Sequence, residues 1–143
     1  MPTELPVRKV YGVTAIVIAA VIGGPLATGF LMAHNFNIFK EFRAVVISWI
    51  SAVFGVVIIF LTFRYCFDLG IFWLIPVLNG VITLLLLMIF QDNKLVTYHA
   101  SDGPLYNWWV AIVIGIGALG VCYFLGVALA VITFFTTDKK MIF

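Results

Sequence analysis

The chain has 143 residues, of which 64% are hydrophobic and 10% are charged, and its mean hydropathy is +1.21. Soluble domains carry about 25% charged residues and less than half apolar ones. The composition therefore excludes a soluble globular domain and predicts a protein embedded in a lipid bilayer. The net charge of +2 arises from scattered basic residues, which predicts no nucleic-acid partner.

Four apolar runs follow one another along the chain, approximately at residues 10–33, 44–63, 71–90 and 108–135. A helix needs about 20 residues to cross a bilayer, and every run reaches that length. Trp73, Trp108 and Trp109 lie near predicted ends, as an interfacial aromatic belt requires. The sequence predicts an all-α integral membrane protein with four antiparallel transmembrane helices, which form a single domain over residues 1–143.

The first run contains GGPLATG at residues 23–29, with three glycines and a proline in its middle. Pro25 has no N–H and clashes with the carbonyl of Val21, so we expect a kink there. The carbonyl that loses its partner must find another one inside the membrane. The glycines would let a neighbouring helix approach closely.

The third run repeats this pattern, because PVLNG at residues 76–80 aligns with PLATG at residues 25–29. We expect a second kink at Pro76, and the two segments could be parallel internal repeats. Two interpretations stay open. In one, the broken helices flank a transport site, to which Thr28 and Asn79 contribute polar groups. In the other, Asn79 forms a hydrogen bond across a helix interface; the lack of ionisable residues deep in any run favours this one.

Small residues recur at four-residue steps on the first, second and fourth runs. Such rows let helix backbones approach in lipid, and packing within the chain is favoured over an oligomer interface. The end of the third run, LLLLMIF, has no such row and is expected to face lipid or a partner. The residues expected at kinks and packing contacts are Gly23, Gly24, Pro25, Gly29, Pro76, Asn79, Gly80, Ala118, Cys122, Gly126 and Ala130.

Candidate catalytic residues lie only in the first and third loops, on one predicted side of the membrane. They are His34, Glu41, Asp92, His99 and Asp102. Their spacing matches no metalloenzyme motif such as HExxH. We therefore expect no catalytic centre, no metal and no cofactor. The first loop is expected to form a helical turn at the headgroup level, and Asn107 is expected to cap the fourth helix.

The basic residues give a weak preference for orientation. With four crossings, both termini and the middle loop share one side, which carries five basic residues against three on the other. The five are Arg8, Lys9, Arg64, Lys139 and Lys140, and the three are Lys40, Arg43 and Lys94. The positive-inside rule then predicts that both termini are cytoplasmic.

Several motifs resemble a family of uncharacterised small bacterial inner-membrane proteins with four spans and a GGPLAxG motif in the first. They are GGPLATGFLMAHNF at residues 23–36, Pro76, Gln91, His99, Gly103 and the pair Trp108 and Trp109. The resemblance implies a bacterial cytoplasmic membrane and supplies no catalytic or binding residues. Its members have a more basic first loop, which implies a cytoplasmic first loop, in conflict with the count of charges.

The sequence favours a non-enzymatic accessory, assembly or oligomerising component, whose partners are the lipid bilayer and either another protein or copies of itself. The alternative is a small transporter or channel subunit with a pathway between residues 25–29 and 76–80. A third hypothesis, an enzyme at the membrane interface, would use His34 and His99.

Overall fold

A computed structural model describes residues 8–71, 73–100 and 103–138, with all their side chains except those of residues 63–68, 92, 130 and 132–138. The described residues form five helices and no strand: α1 (Val13–Ile38), α2 (Phe42–Asp68), α3 (Leu74–Phe90), α4 (Asp92–Ala100) and α5 (Trp108–Asp138). The all-helical prediction is confirmed. Three of these helices, α1, α2 and α5, are long and apolar enough to cross a membrane. A fourth span results if α3 and α4, which are bent by 70° at their junction, are counted together.

Helix α1 folds back on itself at Gly24. The Tyr11 N–H donates to Asn35 Oδ1 at 2.8 Å, and Asn35 Nδ2 donates to the Tyr11 carbonyl at 2.9 Å. In a straight helix these residues, 24 positions apart, would be separated by about 36 Å. Gly24 has φ 67° and ψ −157°, a conformation outside the helix. Residues 13–23, the first arm, and residues 25–38, the second arm, therefore form a helical hairpin.

The other helices surround this hairpin, and their directions follow from residue pairs in contact. Helix α2 runs opposite to the second arm, α3 runs along it in the same direction, and α5 runs in the direction of the first arm. The pairs are Pro25 with Gly55 and Phe30 with Trp49 for α2, Thr28 with Thr83 and Asn35 with Gln91 for α3, and Val10 with Leu105 and Gly23 with Gly115 for α5.

The hairpin supplies most of the core. The side chains of Ala15, Ile16, Ala19, Ala27 and Leu31, from both arms, are buried together, whereas α2 and α5 expose most of their apolar residues. We call the end that holds residues 8–12, 34–43, 91–100 and 103–107 the proximal end. The opposite end, with residues 60–71, 73–74 and 126–138, is the distal end, and the hairpin does not reach it.

Helix α1 is long and apolar enough for the crossing predicted at residues 10–33, but its path is not that of one straight helix. Hydropathy identifies the apolar stretch, but the Gly24 conformation returns the chain to the end from which it came. Pro76 also differs from its prediction. As the third residue of α3, it lies in the first turn, where its missing N–H removes no bond inside the helix. The first loop is shorter than expected, since only residues 39–41 separate α1 from α2, and the third loop contains the short helix α4.

Candidate functional site

The apex of the hairpin combines a glycine, a proline and an amide from α3. The backbone conformation of Gly24 is one that essentially only glycine adopts. Pro25 then begins the second arm, a position that suits the fixed φ and missing N–H of proline. At the end of the first arm, the Ala20 carbonyl accepts a hydrogen bond of 2.6 Å from Asn79 Nδ2. Asn79 thus satisfies a carbonyl that the end of a helix leaves without a partner.

Glycines around the apex allow close contacts between helices. A Cβ atom at Gly23 would lie 2.4 Å from the Gly115 carbonyl oxygen, and one at Gly29 would lie 2.3 Å from the Ala52 Cβ. A Cβ at Gly80 would lie 2.7 Å from a methyl group of Val21. No side chain larger than hydrogen fits these three positions unless the helices move apart.

Polar contacts join α3 to both arms of α1 at and beside the segments 25–29 and 76–80, between which the alternative hypothesis places a transport pathway. Besides the bond from Asn79, the Thr28 and Thr83 hydroxyl oxygens lie 3.1 Å apart and are buried between the second arm and α3. Thr28 Oγ1 also lies 3.2 Å from the Gly24 carbonyl, to which it donates. These polar groups satisfy one another across a closed interface.

A buried amide network closes the proximal end of the hairpin. Asn35 and Gln91 are both fully buried. Asn35 binds the backbone of Tyr11 and donates to Gln91 Oε1 at 3.3 Å, and Gln91 Nε2 donates to the Met32 carbonyl at 3.2 Å. The network ties the start of α1, its end and the end of α3 together. The sequence analysis missed this role, although an Asn and a Gln beside apolar runs are a signal for it.

An aromatic cluster covers this network. The rings of Tyr11 and Tyr106 stack at 4.5 Å, and the His34 ring lies 5.2 Å and 5.7 Å from them. Among the described residues, His34 Nε2 is a buried polar atom with no hydrogen-bond partner. Burial raises the pKa of the Tyr11 hydroxyl, and electrostatic repulsion between the two ionised phenols, Tyr11 and Tyr106, adds to the shift. Tyr11 therefore keeps its proton at neutral pH.

Of the other catalytic candidates, only Glu41 and His99 have described side chains. Glu41 forms an ion pair with Lys94, and His99 is exposed on α4. The side chain of Asp92 and the whole of Asp102 lie outside the described residues. In the part of the chain that the structure describes, no three His, Cys, Asp or Glu side chains are grouped so that they could hold a metal ion.

The row of small residues on α5 faces the rest of the protein where it is described. Ala118 is buried against the hairpin, and Gly126 lies beside the Phe60 ring, which a Cβ would approach to 3.0 Å. Cys122 is half-buried, and the Ala130 side chain lies outside the description. An apolar groove of about 250 Å³ lies between α2, α5 and the second arm. Its lining residues are Leu26, Ala27, Phe30, Trp49, Ile114 and Ala118.

The start of α5 has the cap that the sequence predicts. The Trp109 N–H lies 3.4 Å from Asn107 Oδ1, and the Val110 N–H donates to the Asn107 carbonyl. The two tryptophan rings that follow stack at 4.2 Å. This places both indoles at the proximal end, where α5 begins.

Comparison with known proteins gives no relative: no protein-family model, curated protein or solved structure matches the chain. The resemblance to small bacterial inner-membrane proteins therefore stays a prediction, and functional arguments depend on the geometry alone.

Proposed function

We propose that this is a non-enzymatic integral membrane protein that works as a subunit of a larger membrane assembly, formed with another protein or with its own copies. One observation carries the proposal: in the part of the chain that the structure describes, α2, α3 and α5 each pack on the hairpin but contact one another only sparsely. Each arm has about 12 residues and reaches about 18 Å, roughly half the membrane thickness. Beyond the apex, the described side chains of the three helices add nothing to the buried core.

The distal part of α5 shows how incomplete this packing is. Tyr123, Phe124 and Leu125 are 70%, 74% and 49% exposed. Successive helical residues point about 100° apart, so the directions of these three exposed side chains span about 200° around the helix. Gly117 and Gly120 lie on this helix with nothing within 4 Å of where a Cβ would be. Small residues without a neighbour offer another helix a place to approach closely.

Native mass spectrometry of the protein, extracted from its own membrane in mild detergent, tests this proposal. We expect a reproducible complex with another protein or a homo-oligomer. Gly120→Leu should shift that complex toward the monomer. The leucine side chain has room in the folded monomer, but it would keep a helix of another subunit from approaching α5 closely. Ser51→Leu, an enlargement at an exposed position of α2, is the matched control. A lone monomer in every preparation would contradict the proposal.

A transporter or channel subunit is the second candidate, and the break at Gly24 favours it. Non-helical backbone at membrane depth is found where it is buried in protein or lines a water-filled cavity. Asn79→Leu separates the candidates when flux and assembly are both measured. A transport subunit should lose flux while it still assembles, whereas an assembly component should lose thermal stability and complex together, because the Ala20 carbonyl loses its partner.

The proposed membrane topology is three crossings, made by α2, α3 and α5, with α1 as a re-entrant hairpin that enters and leaves at the proximal side. Pro25 marks the bend. The N-terminal residues and the first loop then share one side, so Arg8, Lys9, Lys40, Arg43 and Lys94 give five basic residues there against three on the other. The positive-inside rule favours a cytoplasmic proximal end. This also removes the conflict with the resemblance, on which the proposal of a bacterial cytoplasmic membrane depends.

Reporter fusions expressed in a bacterium test the topology. Alkaline phosphatase, which is active only outside the cytoplasm, should be active when fused after residue 143 and inactive when fused between residues 40 and 41. Four crossings with cytoplasmic termini would give the opposite result at both positions.

A further inference from the structure

A shallow, open cleft at the proximal end, lined by apolar and polar side chains, lies between the turn that joins α1 to α2 and the helix α4. Its volume is about 530 Å³, and its lining residues are Phe39, Glu41, Asn93, Lys94, Thr97 and Tyr98. The apolar helices start and stop at its level, since α2 begins at Phe42 and α3 ends at Phe90. In the proposed topology the cleft is therefore at the depth of the lipid headgroups.

The cleft contains an ion pair that a ligand can reach. The Lys94 ammonium bonds to the Glu41 carboxylate, and both side chains are 38% exposed. The ammonium also lies 5.6 Å from the centre of the Phe36 ring. A partly exposed pair of this kind contributes little to stability, so the lysine can exchange its partner at small cost.

The surroundings of the cleft carry an excess of positive charge. Lys40 and Arg43 flank Glu41 in the sequence, and the Tyr98 hydroxyl, on the cleft wall, donates to the Arg8 carbonyl. Lys40 has φ 59°, a left-handed conformation that glycine or asparagine adopts with less strain. Together with Lys94, the segments that form the cleft thus carry four basic residues, against the described carboxylate of Glu41. This balance favours an anionic ligand over a neutral or cationic one.

We propose that this cleft binds the phosphate of an anionic phospholipid headgroup from the proximal leaflet. Lys94 contacts the phosphate in place of Glu41, and the other cations attract the headgroup through their field. The aromatic wall at Phe39 and the 70% exposed Phe42 side chain lie where the acyl chains leave the headgroup. The inference rests on the proposed membrane topology but not on the proposed partner, so either can fail without the other.

Native mass spectrometry of the purified full-length protein with added phosphatidylglycerol or phosphatidylethanolamine tests the site. We expect one phosphatidylglycerol to be retained in preference to phosphatidylethanolamine. One cation near a membrane surface changes anionic-lipid binding by about fivefold. Lys94→Gln should therefore weaken phosphatidylglycerol binding by about that factor, and Lys94→Arg should retain it. Glu41→Gln should strengthen binding, since it removes the competing carboxylate.

Arg64→Gln is the matched control, because it removes the same charge near the other end of α2. Equal loss in Lys94→Gln and Arg64→Gln would show an effect of overall charge and overturn the proposal. Equal loss in Lys94→Gln and Glu41→Gln would show an ion pair that only supports the fold, and would also overturn it. Binding of inorganic phosphate is the last measurement. If the protein binds phosphate and shows no preference between the two lipids, the cleft is a site for free anions, and the lipid proposal is overturned.

Discussion

The proximal and distal halves of the molecule are packed by different means. In the proximal half, two arms of one helix meet α2, α3 and α5 at glycines, and buried amides of Asn35 and Gln91 join the ends of three segments. In the distal half, none of the described residues forms a helix between α2, α3 and α5, and α5 exposes consecutive side chains. Lipid provides no hydrophobic drive for helices to associate, so close packing needs small residues and hydrogen bonds. The proximal half has both, which predicts that stability concentrates there.

The largest expected effect is at Asn35. Asn35→Leu removes the partner of the Tyr11 N–H, of the Tyr11 carbonyl and of Gln91 Oε1. Each buried polar group left unsatisfied costs about 1–3 kcal/mol, so we expect a loss of at least about 3 kcal/mol, measured by thermal and denaturant unfolding in detergent. Asn37→Leu is the control, because Asn37 is exposed nearby on the same arm. Similar stability of the two variants would show that the network does not hold the hairpin closed.

The next effect compares two glycines, one in each kind of packing. Gly29→Val places a Cβ 2.3 Å from that of Ala52, and overpacking of this kind costs about 1–3 kcal/mol or more. Gly117→Val places its side chain where no atom lies within 4 Å, so the folded monomer should tolerate it. Unfolding curves of the purified variants measure the difference. If Gly117→Val destabilises the monomer as much as Gly29→Val does, the open position on α5 and the close contact between the second arm and α2 do not differ in packing.

A smaller effect is expected at the apex. Gly24→Ala puts a side chain on a backbone conformation that costs about 1–3 kcal/mol for residues other than glycine. Gly120→Ala, in a helical part of α5 with open space around it, should be neutral or stabilise the protein by up to about 1 kcal/mol, because Ala favours helix. Opposite signs of the two changes in unfolding free energy are the expected result. A neutral Gly24→Ala would contradict the fold-back at that residue.

The smallest effect is expected for the proximal ion pair. Glu41→Gln removes a partly exposed pair, which contributes about 0.2–1 kcal/mol, so its melting temperature should stay close to that of the wild type. A loss as large as that of Asn35→Leu would place the pair among the groups that hold the hairpin, and would weaken its assignment to lipid binding.

Within the site, sequence reasoning located the right segments but not their arrangement. GGPLATG identified the break in α1, and small residues identified close contacts, because both depend on side-chain size and on backbone conformation at single residues. The pairing of Asn35 with Tyr11 could not be predicted, since it joins residues 24 positions apart and exists only when α1 reverses. The bond from Asn79 to Ala20 depends equally on how α3 lies against the first arm.

The sequence by itself determined that the protein is helical and apolar enough for a membrane, where its long helices lie, and which residues let the backbone bend. These properties follow from composition and from local preferences along the chain. The tertiary structure decided that α1 returns to its starting end, and with it which loops share a side and which polar groups meet. A hydropathy profile shows which segments are apolar, but it does not show whether a segment runs straight or turns back. In this protein the turn is set by φ and ψ at Gly24, together with contacts between residues distant in sequence.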